Sequence, residues 1–199
     1  MQAWLHTLGY ANWALNVFPL LKPALNSSYD KVLGHTFMNA PLYFNKSTSS
    51  DLLWFADQVE KLEGICFLDA EEWSPTDANL EIWGDASAVG LTFWTPTLRI
   101  GHITDPVMDN ECNFNVFFNE ALTILATLHW ASTLNPIPCH LAIHMDSTMS
   151  FSIFNSLHAL GLYNPILMAA VKIHIEHDIN LCIFYIEGKK NTVADALSH

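Results

Sequence analysis

A chain of 199 residues with 51% hydrophobic side chains has room for one domain, or one domain with a small appendage, and can bury a core; a disordered chain is excluded. Twenty acids against eight Lys and Arg give a net charge of −12, with Arg99 the single arginine, which excludes tight, sequence-blind phosphate binding by this chain alone. No apolar run approaches the roughly 20 residues of a membrane span and no signal peptide is visible, so a soluble chain is expected.

Residues 1–31, MQAWLHTLGYANWALNVFPLLKPALNSSYDK, read as helical pieces punctuated by Pro19 and Pro23. TSSDLLWFADQVEKLEG is a clear helix. Thr48 and Asp51 have capping-box spacing, Leu52, Phe55, Ala56, Val59 and Leu62 make its apolar stripe, and Gly64 lies just past its end. FLDAEEWSPTDANLE follows as an acidic connector. Between Asp57 and Asp85 nine acids stand against Lys61 alone, a pattern that is usually a solvated face. The expected organisation is a helical segment over 1–64, a linker over 65–80 and the main domain over 81–199.

From residue 81 the pattern changes. EIWGDASAV, GLTFWTP and LRIGHIT are short strand-like segments separated by turn signals at Gly90, Pro96 and Gly101. The acidic loop DPVMDNEC leads into NVFFNEALTILATLHWAS, whose length and lack of breakers predict a helix. PCHLAIHMD alternates as a fourth strand, with Leu141, Ile143 and Met145 on one face. STMSFSIFNSLHALG and NPILMAAVKIHIEHD read as two helices, INLCIFYIEG as a fifth strand and NTVADALSH as a short terminal helix. This order predicts an α/β layout, a mixed five-stranded sheet flanked by helices.

Four acids on this layout fit poorly with simple solvation: Asp85 inside the first strand, Glu120 mid-helix beside Phe117, Ala121, Ile124 and Leu128, Asp146 ending the fourth strand, and Asp195 opening the last helix. Each alone has a plain structural reading, as a turn cap, a helix-edge residue, an N-cap or a first-turn acid. Together, one per element, they point to a cluster. Burying one carboxylate without a partner costs several kcal/mol or forces it neutral. A cluster is tolerable where cations bind among the carboxylates, and oxygen-rich sites suit Mg²⁺.

WGDASAVGLTFW, FFNEALTIL, HMDSTMSFSIFNSL and IEGKKNTVADALS resemble the four acidic blocks of the ribonuclease H domain in retrotransposon reverse transcriptases. The ending GKKNTVADALSH is similar to the G-x-x-N-x-x-A-D-x-L-S-R ending of long-terminal-repeat and tyrosine-recombinase-type elements. LGYANWALNVFPLLKPAL resembles the thumb-side segment after the polymerase palm, so 1–64 reads as a thumb or connection remnant. The resemblance implies a ribonuclease H-like fold preceded by a small helical segment, with Asp85, Glu120, Asp146 and Asp195 as catalytic, metal-binding acids. It implies two Mg²⁺ (or Mn²⁺) ions and hydrolysis of the RNA strand of an RNA–DNA hybrid, read by shape and 2′-hydroxyls. Lys189, Lys190 and Asn191 flank the expected site as nucleic-acid contacts. Reverse transcriptase polymerase domains are the implied protein partners, and the isolated chain should hold hybrid weakly.

The sequence departs from that family in places. The polymerase Y-x-D-D motif is absent, His199 stands where the ending has Arg, and no His lies between Asp178 and His199 where cellular ribonucleases H carry one. The alternative function is a catalytically degenerate retrotransposon remnant, inert or protein-binding. A related integrase or exonuclease is disfavoured by the NxxADxLS ending. His174 and His177, at i, i+3, read as a solvated helix end, and the seven tryptophans, Trp83 and Trp94 included, as core. Cys66, Cys112, Cys139 and Cys182 form no CxxC pair and read as reduced, mostly buried thiols of an intracellular protein, cytoplasmic or nuclear.

Overall fold

Five short strands rich in β-branched and aromatic side chains form one mixed sheet in the order β3-β2-β1-β4-β5. The computed structural model describes residues 1–34, 37, 39, 41–62, 73–87, 90–105, 116–159 and 161–199. Gly64, Cys66, Cys112, the connector acids Asp69, Glu71 and Glu72, and the loop at 106–112 lie outside the described residues. β1 (Leu80–Ala86) pairs antiparallel with β2 (Leu91–Thr95), Asp85 opposite Thr92, and β2 pairs antiparallel with β3 (Ile100–Thr104). β1 also runs parallel to β4 (His140–Met145), and β4 parallel to β5 (Asn180–Tyr185).

Parallel neighbours need long crossovers. α4 (Val116–Ser132) precedes β4, while α5 (Thr148–Ser156) and α6 (Asn164–His177) lie between β4 and β5. The expected mixed five-stranded sheet flanked by helices is the architecture of the protein. β4 differs from the expected alternation: it is buried from Leu141 through Met145, because a central strand is covered on both faces. Ile82, Ile124, Leu128, Leu141, Ile143, Met145 and Ile183 are its fully buried core, each contributing roughly 1.5–3 kcal/mol of apolar burial.

The chain divides into two compact units, Met1–Glu71 with Leu157–Asn164, and Glu72–Ser156 with Pro165–His199. In the first, α1 (Gln2–Ala14), a 3-10 helix (Pro19–Leu25), α2 (Asn26–Asp30) and α3 (Lys46–Lys61) follow one another, with Pro19 starting the 3-10 helix and Pro23 inside it. α3 is capped by Asn45, whose side chain accepts the Thr48 N–H at 2.9 Å, and not by Thr48; Asn caps as well as Thr, and the helix gains its first turn. Its fully buried positions are Thr48, Asp51 and Gln58, not the apolar stripe. Asp51 is held there by a polar network: Asn164 donates to Asp51 (3.3 Å) and to Pro23 O (3.1 Å), and Asn26 donates to Asn164 (2.8 Å). Burial raises the Asp51 carboxyl, against hydrogen bonds from Ser27 and Asn164.

α5 ends at Ser156, short of the expected Gly161, and Leu157 turns left-handed at φ 53°. His158 then meets Asn26 at 3.0 Å within the first unit. Cys139 is exposed rather than buried, and Cys182 half-buried; both are free thiols. Among the described residues, no helix is long and apolar enough to cross a membrane.

Candidate metal centre

The sheet topology sets two acids side by side. Asp85 lies near the carboxyl end of β1, Asp146 immediately follows β4, and these are adjacent parallel strands with Trp83 opposite His144. Carboxyl ends of parallel strands are where open α/β sheets hold ligands. Asp85 is buried; Asp146 is half-buried. The latter has room because residue 188 is glycine, since a Cβ there would stand 2.9 Å from Asp146 Oδ2.

α4 brings the third acid. Glu120 is on its buried side with Ala121, Ile124 and Leu128, whereas Phe117, expected on that stripe, is 48% exposed. Glu120 is only 8% exposed, and its Oε2 is buried with no hydrogen-bond partner among the described residues. Burial raises its carboxyl above the usual range. Ser147 opposes that by hydrogen bonding, and the charges of Asp146 and Asp85 add to it. Asp146 is raised likewise, first by burial, then by the charge of Asp85 and less by that of Asp195.

α7 (Thr192–Ser198) brings the fourth, and it is laced to the sheet at several points. Asn191 Nδ2 donates to Gly84 O at 2.9 Å. Thr92 Oγ1 donates to Ala194 O at 3.1 Å, and Ser198 Oγ donates to Asp85 Oδ2. Asp195 itself is exposed, at the rim. Ligand atoms of Asp85, Asp195 and His199 lie within 4.8 Å of one another. His199 escaped the sequence reading; its signal was the i, i+4 spacing to Asp195, which puts both on one helix face.

The other expected site residues fare differently. Lys189 and Lys190 are exposed on a 3-10 helix (Gly188–Lys190), with Lys190 3.8 Å from Glu187. Asn191 is 1% exposed, so it braces β1 rather than facing a nucleic acid. Half-buried Trp83 stacks on buried His144 (4.4 Å, 22°) and lies 6.0 Å from half-buried Trp94. His177 is exposed as expected, whereas His174 is half-buried, and desolvation pushes its imidazole down to about 4, against the charge of Asp178.

The donor set fits hard divalent cations. Asp85 and Asp195 present carboxylate oxygens within 4.8 Å of each other, and a buried oxygen of Glu120 has no hydrogen-bond partner among the described residues.

No protein-family model matches the chain, and no curated protein matches it. Among solved structures, it is similar to RNase H1 from the halophilic archaeon Halobacterium salinarum at 13% identity, over 59% of this chain and 92% of that one, with a TM-score of 0.44. It is similar to the N-terminal RNase H domain of a Mycobacterium tuberculosis protein at 14% identity, over 59% and 95%, with a TM-score of 0.45. Prototype foamy virus protease-reverse transcriptase is similar at 13% identity over 89% of this chain, which spans 24% of that one, with a TM-score of 0.35.

Proposed function

We propose that this chain is a retroelement-derived, ribonuclease H-like nuclease that hydrolyses the RNA strand of RNA–DNA hybrids. The observation that carries the reading is the buried Oε2 of Glu120, without a hydrogen-bond partner among the described residues, on a carboxyl raised by burial and by the charges of Asp146 and Asp85. A sheet freed from ion binding gains nothing from that repulsion, and a buried unsatisfied carboxylate oxygen costs about 1–3 kcal/mol. Asp85, Glu120, Asp146 and Asp195 would hold two Mg²⁺ or Mn²⁺ ions. Bound there, such ions supply activation of an attacking water and stabilisation of the departing 3′ oxygen.

The chain's own residues do the positioning. β1 and β4 fix Asp85 and Asp146, α4 fixes Glu120 from the interior, and the contacts of Asn191, Thr92 and Ser198 hold the α7 segment against the sheet. Lys189 and Lys190, exposed next to Gly188 in sequence, would be the cations that meet a phosphate backbone. In this reading residues 81–199 are the nuclease domain, 65–80 its linker, and 1–64 a thumb or connection remnant. Polymerase domains of a reverse transcriptase are its natural partners. The test is cleavage of a labelled RNA–DNA hybrid at low ionic strength with Mg²⁺ or Mn²⁺. RNA fragments with 5′-phosphates are expected from the wild-type chain and none from Asp85→Asn. Equal inertness of the two overturns the reading.

A further inference from the structure

We propose that the edge strand β3 pairs with β3 of a second copy of this chain, antiparallel about a twofold axis at His102, joining two sheets into one. The pairing goes beyond the nuclease reading and does not depend on it.

The hairpin between β1 and β2 shows which backbone groups of β3 are free. Ser87 N–H donates to Gly90 O at 2.9 Å, so these two residues form a directly bonded pair. Bonded and non-bonded pairs alternate along antiparallel strands. Asp85 with Thr92 and Trp83 with Trp94 are therefore bonded, which leaves the backbone groups of Leu91, Phe93 and Thr95 for β3. Opposite those three stand Thr104, His102 and Ile100. Gly101 and Ile103 then point their N–H and C=O groups outward, where β3 is the last strand of the sheet. Among the described residues, nothing hydrogen-bonds to that edge.

Soluble proteins usually guard such an edge with Lys, Pro or a bulge. β3 reads IGHIT, with no charge and no proline, and Ile103 is 61% exposed. The charges stand at its two ends instead, and they are opposite in sign. Arg99 and Asp105 are both exposed, and each lies three residues from His102. An antiparallel pair centred on His102 sets Arg99 of each copy beside Asp105 of the other. Arg99 turns left-handed at φ 55° and ends the strand, so that contact is made by side chains alone. It forms no ion pair among the described residues of its own chain. In a chain of net charge −12, this edge is neutral and complementary to itself.

The same register sets Gly101 opposite Ile103, so the outward backbone groups bond each other on both sides of the axis. Leu197 of α7 stands over Gly101, 3.3 Å from where a Cβ would be, and gives Ile103 of the second copy an apolar neighbour. Sliding the strands by two residues would part Arg99 from Asp105. Five residues a side make a small interface of the transient class, so the dimer belongs to concentrated protein.

Sedimentation velocity of the full chain, from micromolar to millimolar concentration, should show a reversible monomer–dimer equilibrium. Amide exchange should slow with concentration at Gly101 and Ile103 and not at His102. Ile103→Lys should abolish both effects. Arg99→Asp and Asp105→Arg each bring like charges together and should weaken the dimer about tenfold, and the double variant should restore it. All three positions are exposed, so the circular dichroism spectrum should not change. A chain that stays monomeric at millimolar concentration, or a dimer that Ile103→Lys leaves intact, overturns the proposal. Gly101 and Ile103 amides already protected in the dilute monomer overturn it too, because the chain then covers this edge itself. A double variant that fails to restore the dimer overturns the register centred on His102.

Discussion

Glu120 is a buried ionisable group and His174 a half-buried one, and they answer pH in opposite senses. The Glu120 carboxyl is raised above its ordinary 4.5 by burial and neighbouring charge, so without metal the native state holds its proton to higher pH than the unfolded chain does. Stability of the metal-free protein should therefore fall as pH climbs from 4.5 through that raised value, and recover on acidification. His174 is lowered from 6.5 to about 4. Here the unfolded chain takes the proton first, so the stability is complete above 6.5 and is lost as pH falls toward 4, by about 3 kcal/mol. Melting curves in chelator separate the two. Glu120→Gln should raise the melting temperature at neutral pH, by an amount on the order of 1 kcal/mol, and flatten the acid-side gain. His174→Phe should instead remove the loss between pH 6.5 and 4. Divalent ion added at neutral pH should raise the wild-type melting temperature by binding the native state, and Glu120→Gln should blunt that rise. Wild-type melting indifferent to millimolar Mg²⁺ or Mn²⁺ would count against a working site.

At the scale of elements, the site depends on two junctions, Gly188 against Asp146 and α7 against β2. Gly188 leaves space for its carboxylate, and Gly188→Ala would bring a Cβ within 2.9 Å of Oδ2, nearer than real side chains approach. Asp146 must shift, so divalent-ion affinity should drop severalfold while the melting temperature in chelator barely moves. At the second junction, Thr92→Val removes the hydroxyl that reaches Ala194 O at 3.1 Å, a buried bond contributing about 1 kcal/mol. Faster amide exchange confined to α7, with weaker ion binding, is the expected result. The strands and their order were legible because strand runs, turn residues and breakers alternate cleanly from residue 81 onward. Three features were not. The burial of Asp51 is tied to Asn164, more than a hundred residues away in sequence, a pairing that no periodicity carries. The covering of β4 on both faces follows from its central place, and so from pairing rather than from its own alternation. The locking of Asn191 onto Gly84 needs the α7 segment folded against β1, a contact that local sequence does not encode.

The whole molecule sets a charge problem that the site alone does not solve. Seven lysines and one arginine face twenty acids, and of the two lysines beside the site, Lys190 is already shared with Glu187. Each phosphate contact a protein makes steepens its salt dependence, and affinity built on few cations is weak from the start. Bound ions would offset negative charge where the carboxylates meet, but they add nothing along the rest of a hybrid. The isolated chain should therefore cut slowly, only at low ionic strength, with the loss on raising salt appearing in hybrid affinity and not in the rate of the bound complex. Single-turnover cleavage at saturating hybrid measures that rate directly. Polymerase domains from a related reverse transcriptase, supplied in trans, should tighten hybrid binding far more than they alter the single-turnover rate, and Asp85→Asn should remain inert with them present. If wild type is as inert as Asp85→Asn with that partner, at low salt and in a single turnover, the chain holds a folded carboxylate site without the chemistry, and the reading as a degenerate remnant replaces the enzyme.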